Sequence, residues 1–190
     1  MVKVNISLME RANKKTKSDI VFLVATIVVM VVLFAIMALN VVFFRVKVSG
    51  ASMEPTMQDG DVLVANRYKE PTHGSIVIIS GENKDGDWII KRVIAMEGDT
   101  VIIEPAEDGV FIKYAGTDEF VKIEETYIQG VTSSSRRIEK TLTKGEIFYL
   151  GDNRENSHDS RKEDYSTCDI SQIEGVIEDW SFTSTLRFFI

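Results

Sequence analysis

The chain has little cysteine, proline and histidine, and each shortage excludes a class of protein. Its 190 residues include one Cys, three Pro and two His. A single cysteine cannot form an intrachain disulfide, and two isolated histidines do not provide the ligand spacing of a zinc site. Few Pro, twelve Gly and 44% hydrophobic residues exclude a disordered or collagen-like chain. We therefore expect one globular domain that is stabilised by packing and needs no metal or cofactor.

Acidic residues outnumber basic residues outside the N-terminal segment. The sequence carries 22 Lys and Arg against 29 Asp and Glu, a formal net charge of −7. Residues 1–44 hold five basic and two acidic residues, so residues 45–190 hold 17 basic and 27 acidic residues, a balance of −10. A body with this acidic excess repels phosphate backbones instead of binding them. Nucleic acids are therefore excluded as partners.

One long apolar run lies near the N-terminus. From Ile20 to Leu39 only Thr26 interrupts it, and residues 41–44 extend it. Twenty helical residues cover about 30 Å, the thickness of a bilayer's hydrocarbon core. The run has no polar stripe at every third or fourth position, as a helix on a soluble domain would have. It predicts a transmembrane helix over residues 20–44 and makes the lipid bilayer a partner.

The flanking charges predict how this helix is oriented. Three lysines precede the run and two basic residues follow it: Lys14, Lys15 and Lys17, then Arg45 and Lys47. The positive-inside rule then predicts a single-pass cell-membrane protein, with a cytoplasmic tail at 1–19 and an extracytoplasmic domain at 45–190. The alternative is a cleaved secretory signal, since Ser49-Gly50-Ala51 resembles a cleavage site. A cleaved signal, however, has an apolar core of about 7 to 15 residues, shorter than this one.

The body after residue 45 is predicted to be mostly β. Short runs rich in Val, Ile, Phe and Tyr alternate with Gly, Asp and Asn, and no long apolar period of 3.6 residues is present. Such a pattern is typical of a β-sandwich or β-barrel. Seven strands are predicted, at residues 61–64, 75–79, 88–94, 100–103, 109–112, 146–150 and 175–177.

A serine and a lysine in this body suggest nucleophilic catalysis. Ser52 lies in a turn of small residues with Pro55 just beyond it, where a ligand can approach the backbone closely. In the strand at 88–94, neighbouring side chains face opposite sides, so either Lys91 or Arg92 points into the body. Burial lowers the pKa of a lysine and makes its neutral amine available as a general base. Alternatively, Ser52 is an ordinary turn serine and Lys91 protects an exposed sheet edge.

A third segment favours the catalytic interpretation. The polar stretch Tyr149–Arg161 follows a strand and contains G-D-N-R-x-N-S-x-D-S-R at 151–161. The chain also contains S-M-x-P-T at 52–56 and K-R-V at 91–93, the latter followed by a Gly-Asp pair. Together these segments resemble the type I signal peptidases, membrane-bound serine proteases with a Ser/Lys dyad that remove signal peptides from exported proteins.

The resemblance implies a role for each matching residue. Ser52 would attack the scissile carbonyl, and neutral Lys91 would take its proton. Ser157 would hydrogen-bond the lysine and fix its direction. Two ion pairs would hold the loop that carries Ser157 against the Lys91 strand: Asp152 with Arg92, and Asp159 with Arg161.

Substrate selection follows from the same resemblance. Preprotein signal peptides would bind as an extended strand, with small residues at −1 and −3 in shallow apolar pockets. The candidates for the pocket walls are Val48, Met53, Met57, Ile89 and Ile90. Ordinary core packing is the alternative for these five residues.

The sequence departs from the family pattern at two turns, and three alternative functions remain open. Gly50 stands where some members have a serine that serves the oxyanion hole, so the second donor is unassigned, and Ala95-Met96-Glu97 replaces a turn that usually carries Gly and Pro. A self-cleaving Ser/Lys regulator shares the dyad, but it would be soluble and often binds DNA. An enzyme dedicated to a few surface precursors, such as pilus subunits, and a non-cutting assembly factor are the other two alternatives.

Overall fold

The computed structural model divides the chain into two compact units, Met1–Val42 and Phe43–Ile190. The residues that it describes are 6–81, 88–105, 107–128, 130–132, 134 and 136–179. The first unit is a helix, and the second is built from antiparallel strands.

The first unit contains helix α1, Ile6–Val42. Its segment Thr16–Val42 is long and apolar enough to cross a membrane. The two polar side chains within the apolar stretch bond to carbonyls four residues earlier: Thr26 Oγ1 to Phe22 O at 2.9 Å and Asn40 Nδ2 to Ile36 O at 2.8 Å. A helix in hydrocarbon needs this internal pairing, because no water is available to its polar groups.

Both bounds of the helix differ from the predicted 20–44. The helix begins at Ile6, within the segment predicted to be a tail, and ends at Val42. Phe43 and Phe44 form the start of a strand, because their backbones pair with Asn66 and Ala65. Hydropathy alone does not separate two apolar strand residues from the helix that precedes them.

Within its described residues, the second unit contains eleven strands and one short 3₁₀ helix, Ile170–Gln172. The prediction of a mostly β body is confirmed, and all seven predicted strands are present. Four strands were missed: Phe43–Lys47, Val121–Lys122, Ile138–Thr141 and Cys168–Asp169. The strands are β1 Phe43–Lys47, β2 Val62–Asn66, β3 Ile76–Ile79, β4 Ile89–Ala95, β5 Thr100–Ile103, β6 Phe111–Lys113, β7 Val121–Lys122, β8 Ile138–Thr141, β9 Glu146–Leu150, β10 Cys168–Asp169 and β11 Ile173–Ile177.

The strands form two sheets with antiparallel pairing throughout the described residues. The larger sheet has the order β1-β2-β11-β3-β4-β9-β10, and the smaller has the order β7-β6-β5-β8. Strand β4 lies between β3 and β9, with Lys91 opposite Val77 and Arg92 opposite Ile76. Strand β4 pairs with β3 from Ile89 to Arg92 and with β9 from Arg92 to Ala95, so the strand that carries Lys91 is held along both edges.

Three clusters of buried apolar side chains make the core. One cluster joins the two sheets, with Ile94 and Phe148 of the larger sheet packed among residues such as Val101 and Ile112 of the smaller. A second cluster combines Met53 and Met57, from the loop between β1 and β2, with residues of β2, β3 and β11. A third is built on β3, β4, β9 and β11 and includes the buried Cys168. The loop that carries Ser52 is therefore anchored in the core.

Candidate active site

Ser52 and Lys91 meet in the structure. The Lys91 Nζ donates to Ser52 Oγ at 2.9 Å and to the carbonyl of Ile90 at 3.0 Å. Only 4% of the Lys91 surface is exposed. The two residues are 39 positions apart in sequence, and the contact arises because the β1–β2 loop packs beside β4. The arrangement joins a hydroxyl nucleophile to a buried amine within hydrogen-bond distance, which is the geometry required of a nucleophile and its base.

Backbone hydrogen bonds fix the turn that presents Ser52. The Val48 N–H donates to Asp61 O at 2.8 Å, and the Gly60 N–H donates back to Val48 O at 3.0 Å, which closes the loop at its base. Gly50 has a φ of +86° and donates its N–H to the Asp59 carboxylate at 2.8 Å. This backbone conformation favours glycine, which gives a structural reason for Gly50 two positions before Ser52.

The polar loop at 151–161 holds the same turn from the other side. The Asn153 N–H donates to Ser52 O at 3.1 Å, and its Nδ2 donates to Ala51 O at 3.0 Å. Thr56 Oγ1 donates to the Asp152 carboxylate at 2.5 Å. Gly151 leaves no room for a side chain, since a Cβ there would lie 2.5 Å from Ser52 O. The loop therefore sets the position of the Ser52 backbone.

Burial lowers the pKa of the Lys91 amine to about 8 from its ordinary 10.5, while the Asp159 and Asp152 carboxylates act in the opposite direction. Removing an ammonium from water disfavours the charged form, which explains the direction. With this pKa, a usable fraction of the amine is neutral near physiological pH, and only the neutral amine can accept a proton from Ser52.

Both ion pairs implied by the resemblance are formed, but they connect different parts of the site. Arg92 donates to Asp152 through Nε at 2.8 Å and Nη2 at 2.6 Å, and so ties the Lys91 strand to the polar loop. Arg161 donates to Asp159 through Nε at 2.8 Å and Nη2 at 2.9 Å. This second pair lies within the loop, and its Asp159 carboxylate interacts with Lys91 of β4 through its charge. Asp159 also braces the loop internally, where its Oδ2 accepts from Gly151 N at 3.1 Å.

Ser157 differs from the expectation. Its Oγ is buried and has no hydrogen-bond partner among the described residues, so the implied bond to Lys91 is not formed. The Ser157 hydroxyl faces the Cα of Gly151, and a Cβ atom on that glycine would lie 2.2 Å from it. The lysine directs its hydrogen bonds to Ser52 and Ile90 O instead.

An open groove of about 410 Å³ runs past the dyad. Of the five predicted pocket residues, only Ile89 lines it. Val48, Met53 and Met57 are at most 3% exposed and lie in the core cluster under the Ser52 loop, and Ile90 packs against the same cluster. These four do not line the groove in the described structure and pack in or against the core, the alternative that was open for them, so their contact with a substrate stays a prediction. The groove is lined by Ser49, Gly50, Ala51, Ser52, Ile89, Lys91, Asn156, His158 and Tyr165.

Other residues around the site were not found from the sequence. Asn153 and Arg154 occupy fixed positions of the third motif, so the motif itself pointed to them. Glu125 and Tyr127 lie in the stretch 104–146, which gave no signal. Within the described part of the chain, no group of three or more His, Cys, Asp or Glu could hold a metal ion.

Comparison with known proteins identifies the family. The family model described as signal peptidase, peptidase S26, matches residues 21–181. Signal peptidase I T of Bacillus subtilis (strain 168) is 32% identical over 170 residues, which cover 83% of this chain and 82% of that protein. Signal peptidase I V of the same strain is 35% identical over 159 residues, with 78% and 91% covered. A crystal structure of a signal peptidase I from Enterococcus faecalis V583 aligns at 24% identity with a TM-score of 0.46, covering 58% of this chain and 98% of that one. The chain belongs to the signal peptidase family S26, as its three motifs indicated, and is a serine peptidase.

Proposed function

We propose that the chain is a membrane-bound endopeptidase that removes signal peptides from exported preproteins, with Ser52 as the nucleophile and Lys91 as the general base. The observation that carries this proposal is the 2.9 Å contact between Ser52 Oγ and the buried Lys91 Nζ. The amine is the one titratable side chain that contacts the Ser52 hydroxyl in the described part of the chain. A non-cutting assembly factor would have no need for this pairing.

The reaction follows from the geometry. Neutral Lys91 accepts the proton of Ser52 Oγ as the oxygen attacks the scissile carbonyl. The ammonium then gives the proton to the leaving amine, and a Ser52 ester remains. Water hydrolyses the ester, with the neutral amine again acting as the base. The Ser52 backbone N–H is the proposed donor to the developing oxyanion.

The buried hydroxyl of Ser157 has a role in this cycle. An ammonium has three donors, and two of those of Lys91 are already used by Ser52 and Ile90 O. The Ser157 hydroxyl, buried and without a hydrogen-bond partner among the described residues, is the candidate acceptor for the third donor once Lys91 is protonated. We propose that Ser157 supports Lys91 in this charged step.

The membrane placement is inferred from helix α1. Its segment Thr16–Val42 is apolar over a length that exceeds the bilayer core. The lysines at 14, 15 and 17 favour a cytoplasmic N-terminus. We propose that this segment anchors the enzyme in the cell membrane and that the catalytic unit is extracytoplasmic, where the signal peptide's cleavage site emerges from the bilayer.

The groove supports a preference for small residues at −1 and −3. Near Ser52 it is lined by the small residues Gly50 and Ala51 together with Ile89, which form an apolar wall beside the polar residues of the groove. An extended peptide presents alternate side chains to such a wall. An enzyme dedicated to a few surface precursors would use the same groove, so the range of preproteins distinguishes these two functions.

Cleavage of a secretory precursor tests the proposal directly. Full-length protein in detergent, incubated with precursors that carry Ala at −3 and −1, is expected to cut each once, after the −1 residue. A precursor with Phe at −1 is the control and should remain intact, because an aromatic ring does not fit a shallow pocket. The new N-terminus is read by mass spectrometry. Cutting of a few surface precursors alone would indicate the dedicated enzyme, and folded protein that cuts none would refute the proposal.

The rate of cleavage should rise with pH. Because the pKa of Lys91 is lowered to about 8, the active neutral amine predominates above that pH and is about one tenth of the population at pH 7. We expect kcat/KM to fall about tenfold per pH unit below 7 and to level off above 9. The measurement is kcat/KM for one peptide from pH 6 to 10, with circular dichroism to verify folding. A rate that does not change across this range would contradict Lys91 as the base.

A further inference from the structure

A buried ion pair lies behind the polar loop. The Arg154 side chain is fully buried, and the Glu125 side chain is 4% exposed. Arg154 Nη1 donates to Glu125 Oε2 at 2.8 Å, and its Nη2 donates to Oε1, so the pairing is bidentate. Arg154 Nε also donates to Gly151 O at 3.1 Å. Glu125 thus fixes Arg154, which hydrogen-bonds Gly151, the first residue of the polar loop at 151–161.

The same carboxylate is linked to the lysine strand through Tyr127. The Tyr127 hydroxyl donates to Glu125 Oε1 at 2.7 Å. The guanidinium of Arg92 lies over the Tyr127 ring, 3.9 Å from its centroid, which is within the range of a cation–π contact. Arg92 is the neighbour of Lys91 in β4 and the partner of Asp152. The segment Glu125–Tyr127 therefore contacts both Arg92, which supports the Lys91 strand, and Arg154, which supports the loop that holds Ser52.

These contacts bear on the distance between the reacting atoms. Gly151 lies against Ser52 O and the Ser157 hydroxyl, with no space for even a methyl group. A shift of the Gly151 carbonyl therefore moves the Ser52 backbone. Arg92 in turn sets the position of β4 relative to the polar loop through Asp152. A misplacement of about 1 Å at a reacting centre can lower a rate by about two orders of magnitude.

We propose that Glu125 and Tyr127 are positioning residues of the peptidase, which hold Arg154 and Arg92 so that Ser52 and Lys91 stay within hydrogen-bond distance. The proposal rests on the proposed Ser52–Lys91 mechanism. Glu125 and Tyr127 act through Arg154 and Arg92, so their loss affects the rate of the chemical step and leaves binding in the groove unchanged.

The first test compares Glu125→Gln with Glu124→Gln in the full-length protein. Glu124 is the exposed neighbour and has no role in the network. Glu125→Gln is expected to lower kcat for a precursor peptide by about 10- to 100-fold and to change KM less than about twofold. Glu124→Gln should match the wild type. Equal kcat values for wild type and both variants would overturn the proposal.

A second variant separates positioning from stability. Replacing a buried ion pair by apolar residues of similar volume often restores stability, whereas breaking it leaves one charge uncompensated. The double variant Glu125→Met/Arg154→Met should therefore recover the Tm lost in Glu125→Gln and still show the low kcat, because no guanidinium holds Gly151 O. Recovery of kcat together with Tm would show a purely structural role and refute positioning.

Tyr127 provides a graded check. Tyr127→Phe keeps the ring under Arg92 and loses only the bond to Glu125, so kcat should fall by less than about fivefold. Tyr127→Leu removes the ring and should lower kcat further, by about tenfold or more. Equal kcat values in Phe and Leu variants would contradict the link to Arg92.

Acylation of Ser52 by p-nitrophenyl acetate, followed by intact mass, distinguishes the two proposals. Wild type that acylates but cuts no precursor refutes the substrate assignment and still lets the variants be ranked by acylation rate. Slower acylation in Glu125→Gln than in Glu124→Gln supports positioning, and equal rates overturn it. Wild type that neither cuts nor acylates refutes both proposals.

Discussion

Replacement of Ser52 by alanine is expected to abolish precursor cleavage, with a loss in kcat of roughly 10⁴-fold or more. The substitution removes the Ser52 hydroxyl oxygen, which contacts the Lys91 amine. Without this oxygen no ester intermediate can form. Water attacking directly would lack the nucleophile's fixed position beside the base. The measurement is the rate of product formation by full-length enzyme, with intact mass to detect the acylated enzyme, which only the wild type should show.

The control for this variant is Ser166→Ala, which removes an exposed serine outside the groove and should leave the rate within about twofold. Ser52→Ala should fold normally, because the turn is held by backbone bonds such as Asn153 N–H to Ser52 O, which do not involve the hydroxyl. Cleavage by Ser52→Ala at more than about a hundredth of the wild-type rate would remove Ser52 as the nucleophile.

The strands that sequence predicted share one property, a run of β-branched or aromatic residues bounded by turn residues. Ile76–Ile79 and Thr100–Ile103 are nearly all buried and belong to this group. Strand β8, with the sequence IEKT, alternates between intermediate and exposed positions, so its apolar signal is weak. Strand β1 was missed because Phe43 and Phe44 continue the apolar run of the helix. Whether these two segments form strands depends on pairing partners that are distant in sequence.

In the active site too, residues that lie in a local sequence motif were predicted, whereas features that depend on contacts distant in sequence were not. Ser52 and Lys91 were found because each lies in a recognisable motif, and Asp152 was found with its partner Arg92. The orientation of the Ser157 hydroxyl depends on side-chain packing around Gly151, which no motif specifies.

The predicted pocket residues that do not line the groove, and the residues that were not found, lacked a local signal. Met53 and Met57 were interpreted as pocket walls because they lie close to the nucleophile in sequence, but whether an apolar side chain faces a groove or the core depends on the whole sheet. Glu125 is 29 residues from Arg154 and gave no signal of its own. Its role follows only from the fold that buries the pair.

Removal of the Lys91 amine should be as damaging as removal of the Ser52 hydroxyl. Lys91→Met keeps the volume of the side chain and is expected to lower kcat by roughly 10⁴-fold, since no other titratable group contacts Ser52 in the described structure. Lys91→Arg is the matched charged variant and should also be inactive, because a guanidinium stays protonated and cannot accept the Ser52 proton. The double variant Ser52→Ala/Lys91→Met should be no worse than either single one. Losses that multiply would show that the two residues act independently.

Lys91→Met should also change stability, in a direction set by the lowered pKa. The amine binds its proton less tightly in the folded protein, with a pKa of about 8 against 10.5 unfolded. Between these values the unfolded chain holds more protons, so wild-type stability rises with pH through that window and is lowest below pH 8. The difference corresponds to about 3 kcal/mol. Lys91→Met lacks this titration, so its free energy of unfolding should exceed that of the wild type below pH 8, and the difference should shrink as the pH approaches 10.5. A difference between the two proteins that stays constant from pH 7 to 10.5 in urea denaturation would contradict a buried, destabilised ammonium, the property on which its use as a base depends.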